Sequence, residues 1–415
     1  MSAPSILLLA GEASGDYHAA ALVREVRARR PDIRVTGIGG EALATAGMDL
    51  LYHYREMNTI GLSEGLARVR TILRAYRHLK NELISGKHDL FIPVDYPDVN
   101  LRLCRFAQRA RVPVCWYISP QVWAWRRGRM RKIAARVDRM MTIFPFEEKL
   151  YREAGVLADF VGHTMARDIR SAEDKTTAKS SVGLDPSRPA VALVPGSRPA
   201  EIARLLPRMI QAAILHLRTR PDVQFALPLA GEHLRSFVAD ILARRDVPVS
   251  ILGGGAAKLM AACDYGLVTS GTATLQAAFA EMPHVVAYVL DSLTWWFASQ
   301  VLKPLVMDKD VHVAMANVLS IHQEWDGPSP IEIMKNSGHP VTCLECGRPL
   351  FVPELLQDDA TPERLAFWLD RFAIDQSLRE SMIQGFRVLR AVLDPPTLPL
   401  SAVDIVVDFL NKARR

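Results

Sequence analysis

The sequence predicts an α/β fold built as two parallel-sheet halves in tandem. Short apolar strands at residues 6–9, 34–38, 90–94, 112–117, 139–143 and 158–161 alternate with amphipathic helical stretches, the signature of repeated βαβ units. A polar stretch at 175–188, containing Gly183 and Pro186, interrupts this rhythm, which restarts at 190–194, 224–228, 249–252, 265–268 and 284–288. With 415 residues, 49% of them hydrophobic, the chain can give each half its own core. Open α/β sheets bind ligands outside the carboxyl ends of their strands, so two such sheets predict a cleft where those ends meet. Residues 398–412, with Leu400, Val403, Ile405, Val406 and Leu410, close the chain as a helix that fits either half.

Composition narrows the function. The formal charge is +6, a mild excess that suits an acidic surface or an anionic ligand and falls short of a nucleic-acid footprint. Of five cysteines, Cys104, Cys115 and Cys263 sit in apolar runs as ordinary buried thiols, which favours a reducing compartment. The first ten residues lack a basic segment and carry too short an apolar run for a signal peptide. No later segment reaches the roughly 18 uninterrupted apolar residues of a membrane helix, so any membrane contact is expected to be peripheral. A basic amphipathic helix at 62–83 sets Leu62, Leu66, Val69, Leu73, Tyr76 and Leu79 on a stripe among Arg68, Arg70, Arg74, Arg77 and Lys80. It reads either as a core-facing helix with a solvated basic face or as a membrane-surface helix.

The first strand runs into Ala10-Gly11-Glu12-Ala13-Ser14-Gly15-Asp16 and then a helix. The glycines allow a sharp turn and close approach of the backbone to a ligand. The loop lacks both G-x-G-x-x-G and the P-loop lysine, so its carboxylates suit sugar hydroxyls better than phosphates. The alternative is an ordinary turn with Ser14 or Asp16 capping the helix. Strand 90–94 delivers Asp95-Tyr96-Pro97-Asp98-Val99-Asn100, where the proline stops the ladder and holds two carboxylates in a loop. One carboxylate can take a proton from a sugar hydroxyl while the other orients it, or both cap the next helix with Asn100. Ser119-Pro120-Gln121-Val122-Trp123-Ala124-Trp125-Arg126 offers flat apolar faces to a sugar ring or acyl chain and a cation to phosphate, although tryptophan pairs also serve as core.

In the second half, Pro195-Gly196-Ser197-Arg198, with Glu201 in the following helix, ends one strand, and Ser270-Gly271-Thr272-Ala273-Thr274 ends another. Each opens a helix with free amides and hydroxyls, and two such anion sites in one half point to a nucleotide diphosphate.

Together with Phe144-Pro145-Phe146-Glu147 and Val161-Gly162-His163-Thr164, these segments resemble the lipid-A-disaccharide synthases, over about residues 5–317 and again from 353 to 364. The resemblance implies a GT-B fold, two Rossmann-like parallel-sheet domains facing a cleft. It implies an inverting transfer that joins UDP-2,3-diacylglucosamine to 2,3-diacylglucosamine 1-phosphate through a β(1→6) bond and releases UDP. It further implies that no cofactor or metal is required and that the enzyme works peripherally on the cytoplasmic face of a bacterial inner membrane. On this pattern residues 1–165 form the acceptor and membrane-facing domain and 166–375 the UDP-sugar domain. Residues 376–415 are C-terminal helices that pack back on the first domain or on a second subunit of a homodimer. Asp98 is the expected base, with Asp95 supporting it. Glu12, Ser14, Gly15, Asp16, Asn100, Trp123, Trp125 and Arg126 would line the acceptor or sugar side. Gly196, Ser197, Arg198, Glu201, Ser270, Gly271, Thr272, Ala273, Thr274, Gln276 and Asn317 would face the nucleotide.

The chain departs from the family pattern in three places. Gln276 stands where a glutamate is usual, the proline before Asn317 is missing, and 321–351 reads as an insertion. The insertion carries Cys343-Leu344-Glu345-Cys346 with His322 and His339 nearby, either a zinc clip or an exposed loop with incidental thiols. Two competing readings remain: another GT-B transferase or epimerase acting on a UDP-sugar, and a catalytically silent UDP-sugar-binding scaffold.

Overall fold

The computed structural model describes residues 3–57, 65–121, 127–172, 174–244, 247–253, 255–290, 312–344 and 346–412. The chain forms two units, Met1–Thr164 joined by Leu393–Arg415, and Met165–Val392.

The first unit is a seven-stranded sheet of β1 (Ser5–Ala10), β2 (Arg34–Gly39), β3 (Asp49–His53), β4 (Leu90–Val94), β5 (Cys115–Tyr117), β6 (Arg139–Thr142) and β7 (Ala158–Phe160). Its order is β3-β2-β1-β4-β5-β6-β7, with every pairing parallel. Strands β1 and β4 are buried at every position because helices cover both faces, which is why they read as unbroken apolar runs. Close packing shows at Gly37, whose φ is +144° and where a Cβ would fall 1.9 Å from the Leu8 carbonyl oxygen. Leu7, Phe91, Trp116, Met140 and Tyr151 fill the core. Helix Gly65–Ile84 buries Ala75, Leu79 and Leu83 and exposes Leu73, Arg74 and Arg77. Lys80 lies over the Phe106 ring of helix Pro97–Arg109 at 5.0 Å.

The second unit repeats the plan with β8 (Ala190–Val194), β9 (Gln224–Pro228), β10 (Val249–Leu252), β11 (Tyr265–Thr269), β12 (His284–Tyr288) and, after the short hairpin of β13 (Val341–Thr342) and β14 (Pro349–Leu350), β15 (Glu354–Leu356). Its order is β10-β9-β8-β11-β12-β15. Both sheets reverse direction of winding next to their first strand, between β1 and β4 and between β8 and β11. That reversal is the switch point at which open α/β sheets bind ligands.

Helix Gln376–Leu393 ends the second unit, and helix Ala402–Lys412 belongs to the first. Ser401 and Asp404 cap the latter reciprocally, Ser401 N–H to Asp404 at 2.9 Å and Asp404 N–H to Ser401 at 3.2 Å. Arg29 meets Asp404 at 2.5 Å and Arg30 meets Asn411 at 2.8 Å, tying this helix to helix Ala13–Arg29. Among the described residues no helix is long and apolar enough to cross a membrane.

Candidate functional site

Each switch point carries two of the turns singled out in the sequence. In the first unit these follow β1 and β4. Gly11 lies flat against Tyr96, where a Cβ would fall 2.4 Å from the ring, so the two turns touch only because residue 11 has no side chain. Asp95 and Tyr96 both adopt left-handed backbone angles, φ +43° and +47°, a strain that non-glycine residues bear where their surroundings impose it. Asn100 holds this turn: it is buried, and its Nδ2 donates to the Asp95 carbonyl at 2.6 Å. The Asp95 amide donates to Tyr117 O at 3.1 Å. Burial, and secondarily the charge of Glu12, push the Asp95 carboxyl up to about 6.

Asp98 is placed differently. Its side chain is 70% exposed in the first turn of helix Pro97–Arg109 and is paired with the Arg129 guanidinium. Ser119 donates to the buried Glu147 at 2.6 Å and Tyr151 donates to Pro120 O at 2.8 Å, fixing the start of the tryptophan segment. Trp123, Trp125 and Arg126 lie outside the described residues. Beneath the first turn, His18 and His163 meet edge to face at 5.1 Å, and burial, then His18, hold His163 well below its ordinary value and therefore neutral.

Two residues expected to meet acceptor or sugar serve the scaffold instead, and a third, Asn100, holds the Asp95 turn through Nδ2 while its buried Oδ1 has no hydrogen-bond partner among the described residues. The Asp16 carboxylate is buried and accepts the amides of Gly40 at 2.6 Å, Ala42 at 3.1 Å and Leu43 at 3.3 Å, capping helix Glu41–Thr45. Gly15 brings the helix start against Val94. Glu12 is exposed and Ser14 half-buried, so both remain at the surface of the turn.

In the second unit, Gly196 has φ +117°, and a Cβ there would fall 2.7 Å from Glu201 Oε2. Arg198 pairs with Glu201 at 3.1 Å at the start of helix Pro199–Thr219, and Ser197 and Arg198 are exposed. Across the switch point Gly271 takes φ +102° and Thr272 is exposed, while Ala273 and Gln276 are half-buried. The arrangement presents a guanidinium and two helix starts on one edge, suited to an anion. Tyr288, which no motif marked, ends β12 beside them; its phenol is raised by burial first and by Glu201 next.

Two nucleotide expectations are corrected. Thr274 is fully buried, with its hydroxyl donating to Gly271 O at 2.9 Å. Asn317 is 0% exposed: its Oδ1 accepts from Phe351 N at 2.9 Å and Val352 N at 2.8 Å. Its Nδ2 donates to Val352 O and to Glu354, both at 2.8 Å. With both lone pairs and both protons used, it has nothing left for a ligand. Glu354, also unmarked in the sequence, accepts the amides of Val313 at 3.2 Å and Ala314 at 2.9 Å, and Ser270 Oγ donates to Val313 O at 3.1 Å. Asn317 and Glu354 thus brace the segment on which Ser270 rests.

Cys343 and Cys346 occupy the tip of the β13–β14 hairpin, closed by Cys343 N to Arg348 O at 2.8 Å and Gly347 N to Cys343 O at 3.0 Å. Among the described residues no group of three or more His, Cys, Asp or Glu is placed to hold a metal ion.

Solved structures share this architecture at low identity. The UDP-GlcNAc 2-epimerase of Neisseria meningitidis bound to UDP-GlcNAc aligns with a TM-score of 0.59 and 11% identity, over 99% of this chain and 100% of that one. A putative UDP-N-acetylglucosamine 2-epimerase of Listeria monocytogenes aligns at 0.57 and 9% identity, over 97% and 99%. Sequence relatives are much nearer. The lipid-A-disaccharide synthase of Myxococcus xanthus is 38% identical over 411 residues, 99% of each chain. That of Pseudomonas syringae pv. tomato is 40% identical over 361 residues, 87% of this chain and 86% of its own. The family model for lipid-A-disaccharide synthetase matches residues 6–321. With full-length relatives at this identity and the two-sheet GT-B architecture, the chain belongs to the lipid-A-disaccharide synthase family, glycosyltransferases that form the lipid A disaccharide.

Proposed function

We propose that the protein joins UDP-2,3-diacylglucosamine to 2,3-diacylglucosamine 1-phosphate through a β(1→6) bond by one inverting displacement, without a required metal. The first unit binds the acceptor and the second the donor. The observation that carries the mechanism is the strained Asp95 turn with its raised carboxyl: a base with an ordinary aspartate value would take a hydroxyl proton poorly, and one near 6 is better matched. Asp95 takes the proton of the acceptor 6-hydroxyl as that oxygen bonds to the donor C1, and the C1–O bond to UDP breaks. The leaving diphosphate is met by Arg198 and by the amides of the Gly196 and Gly271 turns. Asp98 holds Arg129, a cation suited to the acceptor's phosphate. This exchanges the roles expected for the two aspartates from sequence. Both substrates are acylated, and the exposed Leu73, Arg74 and Arg77 support peripheral docking on the cytoplasmic face of the inner membrane.

The test is UDP release with and without acceptor, in detergent micelles containing EDTA. Wild type is expected to release UDP only with acceptor, and Asp95→Asn to lose about 10²–10⁴-fold in kcat. Below about pH 6 the wild-type kcat/KM should fall with the protonation of Asp95. Asp98→Asn should chiefly raise KM for the phosphorylated acceptor. Collapse in Asp98→Asn with survival of Asp95→Asn would return the base to Asp98. No release by wild type despite UDP binding would favour the scaffold reading that Gln276 keeps open.

A further inference from the structure

Gln357 follows β15 directly and has φ +51°, a left-handed backbone that a long side chain adopts only under constraint. Its Oε1 accepts the amide of Leu290 at 3.2 Å, two residues past the end of β12. This bond fixes the amide's orientation, because the opposite one would set two donors against each other. Nε2 therefore points away from Leu290, and there it is buried with no hydrogen-bond partner among the described residues. An amide donor left unpaired in the interior is costly, and here the cost is added to a strained backbone at the same residue. The residue as a whole is half-buried, at the carboxyl edge of the sheet.

Its neighbours on that edge are informative. Tyr288 is in register with Leu356, so Gln357 lies one residue beyond that level, in the turn that follows the adjacent strand. Tyr288 in turn lies within the electrostatic reach of Glu201 and Arg198, beside the Gly196 turn. From β15 to β11, which carries the Ser270 turn, is two strand spacings, about 10 Å. A hexose attached to a diphosphate at that turn extends over such a distance.

We propose that Gln357 is a donor-substrate residue whose Nε2 donates to an oxygen of the hexose of the sugar nucleotide. The proposal rests on the reading of the second unit as the donor domain. Its strain and its unpaired donor are held in the free protein and answered when the sugar is seated.

The test uses the full chain carrying Gln357→Ala or Gln357→Asn, with transfer kinetics, calorimetric binding of UDP, and thermal unfolding. Asparagine tolerates the left-handed backbone but is one methylene too short to reach the sugar or the Leu290 amide, so relieved strain offsets one lost hydrogen bond and that variant should hold a Tm close to that of wild type. Both variants should raise KM for the acylated sugar nucleotide about tenfold, with Kd for UDP within about twofold of wild type. Unchanged KM in both variants overturns the proposal, as does a fall in kcat that only follows a loss of Tm. An equal weakening of UDP itself overturns the hexose assignment in favour of a diphosphate oxygen. If wild type shows no transfer, the donor reading of the reaction fails separately. The affinity for UDP-N-acetylglucosamine relative to UDP then decides the role of Gln357, which predicts that each variant loses the part of the affinity due to the sugar.

Discussion

Asp95 shows how a residue can be set up for chemistry at a cost to folding. Its carboxyl titrates at about 6 in the folded chain against 3.8 for an ordinary aspartate, so the unfolded chain gives up its proton first. Stability therefore falls as pH rises from about 4 to about 6 and stays reduced above that, by at most about 3 kcal/mol. Asp95→Asn is expected to unfold at higher denaturant concentration than wild type at pH 7.5 and at the same concentration near pH 3.5. A variant less stable at pH 7.5 would contradict the burial argument. Asn317 presents the opposite case. Asn317→Ala strands the amides of Phe351 and Val352 and should cost on the order of 3 kcal/mol in the second unit. Undiminished stability with lost UDP binding would show instead that Asn317 touches the nucleotide.

Helix Ala402–Lys412 is held by its cap and by Arg29. The Ser401 hydroxyl first, and Arg29 next, lower the Asp404 carboxyl to about 2. That stabilisation is present above the ordinary aspartate range and is lost as pH falls through about 2. Asp404 is partly exposed, so Asp404→Ala should cost only about 1 kcal/mol at pH 7, read as a lower denaturation midpoint of the first unit. Sequence showed the buried parallel strands because a strand covered on both faces must be apolar throughout. It did not show β3, whose residues are exposed or half-buried at the sheet edge, or β15, only three residues long and reached after the β13–β14 hairpin. The site was legible as a set of turns and obscure in its directions. Asp16, Thr274, Asn100 and Asn317 have the short polar side chains of ligand contacts, and the same chemistry serves helix caps and buried braces. The left-handed angles of Asp95, Tyr96 and Gln357 leave no mark in residue type, since the surrounding packing imposes them. The closing helix could be recognised, but its home could not, because an apolar stripe does not name its partner.

The molecule uses one sheet topology twice, with the candidate turns at the switch point each time. Its mild positive charge is expected to act at a surface rather than through the whole field. Replacing Arg74 and Arg77 by Ser together with Leu73→Ser should reduce flotation with vesicles containing anionic lipid, each arginine near the surface contributing about 1 kcal/mol. Equal flotation of variant and wild type would reject helix Gly65–Ile84 as the docking element. The chain leaves the first unit at Thr164 and re-enters it at Leu393, where His163 N–H meets Leu393 O at 2.8 Å. A ribosome must therefore deliver every residue of the second unit before the first receives its last helix. Until then the face of helix Ala13–Arg29 that Ala402–Lys412 will cover stays open, so synthesis completes the domain that begins later before the one that begins first.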